Sequence, residues 1–161
     1  MSTVAYIGLG SNLANPVEQV KQAFGALNAL EHCQLVAQSS LYRSAPMGPQ
    51  DQNDYINAVA ELATDLAPLA LLSALQSIEN HHGRVRKGER WGPRTLDLDL
   101  LLYGDKSVDL PQLKVPHYGM KQRNFVLLPL QEIAPDLVLP DGESLSACVA
   151  AISSAGIEKL T

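Results

Sequence analysis

The residues best suited to chemistry in this 161-residue chain lie between positions 84 and 99. Asp97 and Asp99 stand two apart in a run, residues 95–103, whose even positions are all leucine: Leu96, Leu98, Leu100 and Leu102. A strand with this alternation turns both carboxylates to one face, with Cα atoms about 6.5–7 Å apart, and the leucines to the other. Carboxylates so placed can reach two hard cations about 3.5–4 Å apart, the separation of two-metal phosphoryl-transfer sites. Directly before them, residues 84–94 carry five of the chain's twelve Lys and Arg residues: Arg84, Arg86, Lys87, Arg90 and Arg94. Guanidinium forks match phosphate oxygens bidentately, as ammonium groups do not. An Asp-x-Asp strand alone is most often a solvated face, and a basic loop alone most often faces water. Their adjacency is what points to a magnesium–polyphosphate site.

A second group suits a flat ligand. Tyr55 and Asn57 alternate on a strand face that the expected sheet shares with Asp97 and Asp99. A ring offers stacking energy and an amide reads the edge of a heterocycle, although the same two residues serve equally well as ordinary strand positions. His117, Tyr118, Arg123 and Phe125 follow a proline turn and could close such a site. Gln76 and Glu79 could as readily face solvent. Gly8-Leu-Gly-Ser-Asn-Leu13 has leucine where a dinucleotide fingerprint needs its third glycine, and Gly83 to Gly88 has Walker spacing but is followed by Glu89-Arg90. A nucleotide would therefore be held without a P-loop.

The elements that must position these groups follow from periodicity. Residues 3–9 read as a buried strand opening into a turn at Gly8, Gly10, Ser11 and Asn12. Asn15, Pro16 and Glu18 supply an N-cap, an N1 proline and an N3 acid for a helix whose apolar stripe is Val17, Val20, Phe24, Leu27 and Leu30. Residues 35–44 form one strand, and residues 45–54 are a loop too rich in proline, glycine and acid to extend it. Residues 55–62 alternate as a third strand. Pro68 opens a second helix with Leu71, Leu72, Leu75 and Ile78 inward and Gly83 as its stop. With the 95–103 strand the order is β-α-β-β-α-β. This predicts an α+β fold with a ferredoxin-like core, an antiparallel sheet carrying both helices on one face and free on the other. Helices over 124–133, despite Pro129, and over 144–153 are C-terminal additions.

Composition fits one soluble domain spanning residues 1–161: 46% hydrophobic and 18% charged residues leave no need of a linker, and no internal repeat is present. The net charge of −5 argues against a general nucleic-acid binder, and the third strand lacks the aromatic string of an RRM. A non-catalytic ligand-binding domain of the same topology would have no use for the Asp and Arg cluster. Cys33 and Cys148 form no paired motif and are expected to be buried free thiols. With no signal-peptide pattern and no apolar run near 18 residues, the expected location is the cytoplasm, without membrane contact.

Six strings together resemble one family: Tyr6-Ile-Gly-Leu-Gly-Ser-Asn12, Gly48-Pro-Gln-Asp-Gln52, Tyr55-Ile-Asn57, Arg90-Trp-Gly-Pro-Arg-Thr-Leu-Asp-Leu-Asp99, Val115-Pro-His-Tyr118 and Arg123-Asn-Phe125. The chain resembles bacterial 6-hydroxymethyl-7,8-dihydropterin pyrophosphokinases along its length. The resemblance implies transfer of the β,γ-diphosphate of ATP to the pterin hydroxymethyl oxygen, with release of AMP, by a monomer in folate biosynthesis. It implies that Asp97 and Asp99 hold two magnesium ions, one between the α- and β-phosphates and the substrate hydroxyl, the other between β and γ. Arg84 and Arg94 would neutralise the migrating diphosphate. Gln76, Glu79, Arg86, Trp91, Leu100, His117, Tyr118 and Arg123 would bind ATP along with those arginines. Tyr55 and Phe125 would sandwich the pterin, Asn57 would read its edge, and Ser44, Ala45, Pro46 and Met47 would supply loop contacts. Ala45 stands where related bacterial sequences carry a second proline.

Overall fold

The computed structural model describes residues 2–12, 15–44, 54–81 and 96–160. Strand β1 (Thr3–Ser11) leads to helix α1 (Pro16–Ala29), then β2 (Cys33–Gln38), β3 (Leu41–Ser44), β4 (Tyr55–Thr64), α2 (Pro68–His81) and β5 (Asp97–Tyr103). A hairpin of β6 (Val108–Leu110) and β7 (Leu113–Val115), a 3-10 turn at Met120–Gln122, α3 (Asn124–Ile133), α4 (Leu145–Ala150) and β8 (Ile157–Leu160) follow. The main sheet runs β5-β1-β4-β3-β8, with β2 also paired to β4, and its pairs are antiparallel. Counting β2 and β3 as one interrupted strand, this is the expected ferredoxin-like order.

Alternation on the central strands builds two cores. Ala5, Ile7 and Leu9 of β1, Ile56, Ala58, Ala60 and Leu62 of β4, and Leu98 and Leu100 of β5 pack on the apolar stripes of α1 and α2. The opposite face, which this topology leaves free in expectation, is covered in part. Tyr6, Val59, Leu101 and Leu102 there pack against Val126, Leu127 and Leu130 of α3 and Leu145 and Cys148 of α4. The C-terminal helices have apolar faces of their own, and burying them against the sheet is the favourable outcome.

Several local expectations change for identifiable reasons. β1 does not turn at Gly8 and Gly10 but stays paired through Ser11, opposite Ile56. Pairing across β1 and β5 slips between Tyr6 and Ile7, which face Leu102 and Leu100, so Leu101 is an extra residue. That bulge carries Leu102 to the second core, against the even-residue pattern. The 35–44 strand breaks because the Ser39 hydroxyl, not a main-chain oxygen, accepts the Val59 N–H at 2.9 Å. Asn15 sits at the N-cap of α1 with φ 61° and makes no side-chain cap bond there, so its left-handed backbone rather than its amide starts the helix. The last helix is only Leu145–Ala150, capped by Ser144 Oγ accepting from Ala147 N–H, and the chain then adds β8 to the sheet beside β3. Both cysteines are free, but only Cys148 is buried; Cys33 is half-exposed with its Sγ 3.1 Å from Thr64 Oγ1. Among the described residues no helix is long and apolar enough to cross a membrane.

Candidate active site

Strand register assembles the site. Asp97 of β5 lies opposite Gly10 of β1, Gly10 opposite Asn57 of β4, and Asn57 opposite Tyr42 of β3. One pair further along, Asp99 faces Gly8 and Gly8 faces Val59. Antiparallel partners share a face, so Asn57 and both carboxylates stand on the same side of the sheet, as expected. With strands about 4.7–4.9 Å apart, the backbones of Asp97 and Asn57 are roughly 9–10 Å apart across a strand that bears only glycine at that row. Asp99 is exposed, Asp97 and Gly10 are partly exposed, and Asn57 is buried.

The amide has one orientation. Asn57 Nδ2 donates to Ser44 Oγ at 2.6 Å, and a Cβ built on Gly10 would lie 3.4 Å from Asn57 Oδ1. The carbonyl oxygen is therefore on the Gly10 side, set to accept from a donor on a ligand edge. Ser44 is itself paired with Tyr55 across β3 and β4.

Behind the carboxylates, Glu79 on α2 is 5% exposed, and its Oε2 accepts the Leu98 main-chain N–H at 2.7 Å. Leu98 separates Asp97 from Asp99, so this bond fixes the strand from which both project. Gln76, one turn earlier, is exposed. Removing the acceptor strands a buried N–H and should cost about 1–3 kcal/mol, so Glu79→Ala is expected to unfold at a lower urea midpoint with an unchanged slope. The Leu100 side chain is sealed in the first core, which leaves its main chain on the sheet's edge strand for any ligand.

The segment after the cis Val115-Pro116 bond is tied to β5 by the His117 N–H, which donates to Leu101 O at 3.0 Å. Burial holds the His117 pKa below its ordinary value; the Asp99 charge opposes this and the Arg123 charge reinforces it. The imidazole accepts the Gly119 N–H at Nδ1, 3.1 Å away, which leaves Nε2 as its hydrogen-bond donor. The ring stacks on Tyr118 at 4.8 Å, and Tyr118 is 78% exposed. Beside this pair lies a cavity of about 320 Å³ lined by Pro116, His117, Tyr118, Met120, Lys121 and Asp141 among others. The Arg123 guanidinium lies 5.8 Å from the ring centre of Phe125, which is half-buried against the second core.

Sequence reasoning missed the tie between the sheet and the helix that carries Phe125. Glu132 of α3 accepts the Ser40 N–H at 3.0 Å, the Ser40 hydroxyl at 2.8 Å and the Tyr42 hydroxyl at 2.8 Å. Burial alone would raise the Glu132 carboxyl, but the bonds from Tyr42 and Ser40 outweigh it and hold the group below its ordinary value. The partners are 90 and 92 residues apart, and no local pattern announces them. Glycine at alternate positions of a strand is the available signal for the row through Gly10, and the same two glycines read equally well as a turn.

Arg84, Arg86, Trp91, Arg94, Ala45, Pro46 and Met47 lie outside the described residues. Among the described residues no group of three or more His, Cys, Asp and Glu side chains is placed to hold a metal ion. The donor set of Asp97 and Asp99 nonetheless fits magnesium, which commonly takes one or two carboxylates and completes its octahedron with water and substrate phosphate oxygens.

A ferredoxin-like antiparallel sheet with paired acids on its edge strand and a fixed amide two strands away places the chain among small α+β folds with a polar, acidic site on one sheet face. Residues 6–135 match the family described as 7,8-dihydro-6-hydroxymethylpterin-pyrophosphokinase, and the chain belongs to that family. It is 57% identical over 155 residues to the 2-amino-4-hydroxy-6-hydroxymethyldihydropteridine pyrophosphokinase of Pseudomonas aeruginosa, covering 96% of this chain and 95% of that one. To the Haemophilus influenzae protein of the same name it is 55% identical over 145 residues, 90% of each. A crystal structure of wild-type Plasmodium falciparum HPPK-DHPS with pteroate superposes with a TM-score of 0.74 at 13% identity, covering 93% of this chain and 42% of the other. That likeness shows the fold, and the chain spans less than half the length of that protein. The family's reaction is pyrophosphoryl transfer from ATP to hydroxymethyldihydropterin in folate biosynthesis.

Proposed function

We propose that this chain carries out its family's reaction with two magnesium ions on Asp97 and Asp99, as a cytoplasmic monomer that binds neither nucleic acid nor membrane. The observation that supports this most is the row Asp97, Gly10, Asn57, which puts carboxylates and an edge-reading amide one small-molecule length apart on one sheet face. A bond forms between the pterin hydroxymethyl oxygen and the β-phosphorus of ATP, the bond from β-phosphorus to the bridging α-oxygen breaks, AMP leaves, and the hydroxyl proton passes to solvent. Magnesium, when bound, neutralises charge on the phosphate oxygens. The rest is positioning and electrostatics, which suffice for this type of transfer.

Asn57 Oδ1 accepts from the pterin edge, and Tyr55 and Phe125 stack on its faces, with Ser44, Ala45, Pro46 and Met47 alongside. Arg84 and Arg94 meet the diphosphate. His117 Nε2–H, Arg86 and Arg123 donate to phosphate oxygens, while Trp91, Tyr118, Gln76, Glu79 and the Leu100 main chain line the nucleotide site.

Incubation of the protein with Mg-ATP and 6-hydroxymethyl-7,8-dihydropterin should yield AMP and the pterin diphosphate in equal amounts. Release of ADP, or no pterin-dependent release of AMP, removes the reading. Stacking on one aromatic ring is worth about 1–3 kcal/mol, so Phe125→Ala is expected to weaken pterin binding by roughly 5- to 150-fold while ATP affinity changes far less. Calorimetry with a non-hydrolysable ATP analogue present measures both; unchanged pterin affinity in a folded variant returns Phe125 to the second core as a packing residue.

A further inference from the structure

We propose that Asn124 and Glu132 are positioning residues for the pterin: they hitch the two ends of α3 to β3 and so fix where the Phe125 ring stands relative to the Asn57 amide. This rests on the reading above in which Phe125 stacks on the heterocycle.

Phe125 is the second residue of α3, where the helix restrains it least. The N-cap, Arg123, makes no side-chain cap bond. Pro129, four residues on from Phe125, has no N–H to give to the Phe125 carbonyl, so the first turn loses one rung of its own ladder. Val126, Leu127 and Leu130 pack α3 onto the second core, but apolar contact is non-directional and does not by itself set the line of the helix axis.

Two polar ties supply that direction, and both lead to one strand. At the back of the helix the Glu132 carboxylate accepts the Ser40 N–H, the Ser40 hydroxyl and the Tyr42 hydroxyl, at 3.0, 2.8 and 2.8 Å. Lys159 of β8, paired with Tyr42 across β3 and β8, adds an attractive charge. At the front, Asn124 Nδ2 donates to Ser153 O at 2.9 Å and to Ala155 O at 3.0 Å. Those carbonyls lie just before β8, which pairs with β3 from Leu41 to Ser44. β3 ends on Ser44, whose hydroxyl accepts from the Asn57 amide at 2.6 Å. The strand that fixes the amide therefore also holds the helix that bears the ring, at two points about 12 Å apart along the helix axis. Asn124 is partly exposed and Glu132 exposed, so neither serves the core by burial. Their consequence is geometric, and a misplacement of about 1 Å at a positioning group can cost about 10²-fold.

The test is a set of double-mutant cycles read in pterin affinity: Glu132→Ala, Asn124→Ala and Phe125→Ala singly, and each of the first two combined with Phe125→Ala. Calorimetry with hydroxymethyl-dihydropterin and a non-hydrolysable ATP analogue measures it, at a temperature where circular dichroism shows the variants folded. Glu132→Gln, which keeps the length of the side chain and one of its two acceptor oxygens, replaces Glu132→Ala if that variant does not fold. Each tie variant is expected to bind the pterin about five- to tenfold more weakly than wild type. On the Phe125→Ala background the same change is expected to cost less than about twofold, because a tie that acts through the ring has nothing to position once the ring is gone. Asn124→Asp, which sets carboxylate oxygens against two carbonyls, is expected to lose at least as much as Asn124→Ala. Pterin affinity within about twofold of wild type in a folded tie variant overturns the assignment of that residue. So does a loss carried over in full to the Phe125→Ala background, which would make the tie a general support of the fold. Unchanged pterin affinity in Phe125→Ala alone overturns the stacking reading and the proposal with it, so the two failures are distinguishable.

Discussion

Replacing Asp97 or Asp99 with alanine is expected to leave a folded protein whose pterin-dependent release of AMP falls by at least about 10²–10³-fold. Neither side chain is buried: Asp99 is exposed and Asp97 partly so, and the leucines between and beyond them supply the packing of β5. The fold therefore has little to lose. The reaction has much, because charge on a polyphosphate must be neutralised where it moves, and these are the paired carboxylates on the face that also bears Asn57. Asparagine at either position keeps shape and hydrogen bonding but removes charge, so it should behave like alanine in turnover. Circular dichroism establishes folding, a coupled AMP assay across a range of magnesium concentrations measures turnover, and magnesium titration by calorimetry follows the ions directly. Wild-type turnover in both alanine variants at every magnesium concentration would falsify the assignment.

The parts of this site legible in the sequence were those encoded locally. The leucine alternation of residues 96–102 announced both a strand and the common face of the two acids, and the apolar stripe of α2 announced the helix behind them. The parts that escaped depend on residues far apart in the chain. Nothing near Leu101 shows that it bulges, because the slip is defined only against Tyr6 and Ile7 of another strand. Glu79 reads as one more polar residue near the end of a helix; only the packed structure reveals it buried under Leu98. The covering of the second sheet face by α3 and α4 required knowing where a C-terminal apolar helix would dock, and the lock of Glu132 onto Ser40 and Tyr42 is one result of that docking. β8 is four residues long and carries two charges, too little pattern to separate it from a tail. Gly10 is visible but ambiguous, since glycine marks both turns and close approaches, and the pairing of β1 through Ser11 rules out the turn.

Arg84→Ala and Arg94→Ala are each expected to lower kcat by about 10²–10³-fold, or roughly 2.7–4 kcal/mol, with a much smaller change in the Michaelis constant for ATP. Both residues lie outside the described segments, but covalent geometry limits where they can act. Arg84 stands three positions after His81 at the end of α2, and Arg94 three positions before Asp97 at the start of β5. Three residues span at most about 10–11 Å. Glu79 on the helix before both arginines and Leu98 on the strand after them are hydrogen-bonded beside the acids. A guanidinium that met ATP equally in the ground and transition states would lower the Michaelis constant and leave kcat alone. One aimed at the diphosphate as it leaves the α-phosphate and reaches the pterin oxygen acts mainly in the transition state, and its loss appears in kcat. Steady-state kinetics at saturating pterin separates these cases, and lysine at each position tests the fork, since a point charge restores neutralisation but not bidentate geometry. A rise in the Michaelis constant for ATP with kcat intact would assign both arginines to nucleotide binding and leave the migrating diphosphate to the ions on Asp97 and Asp99.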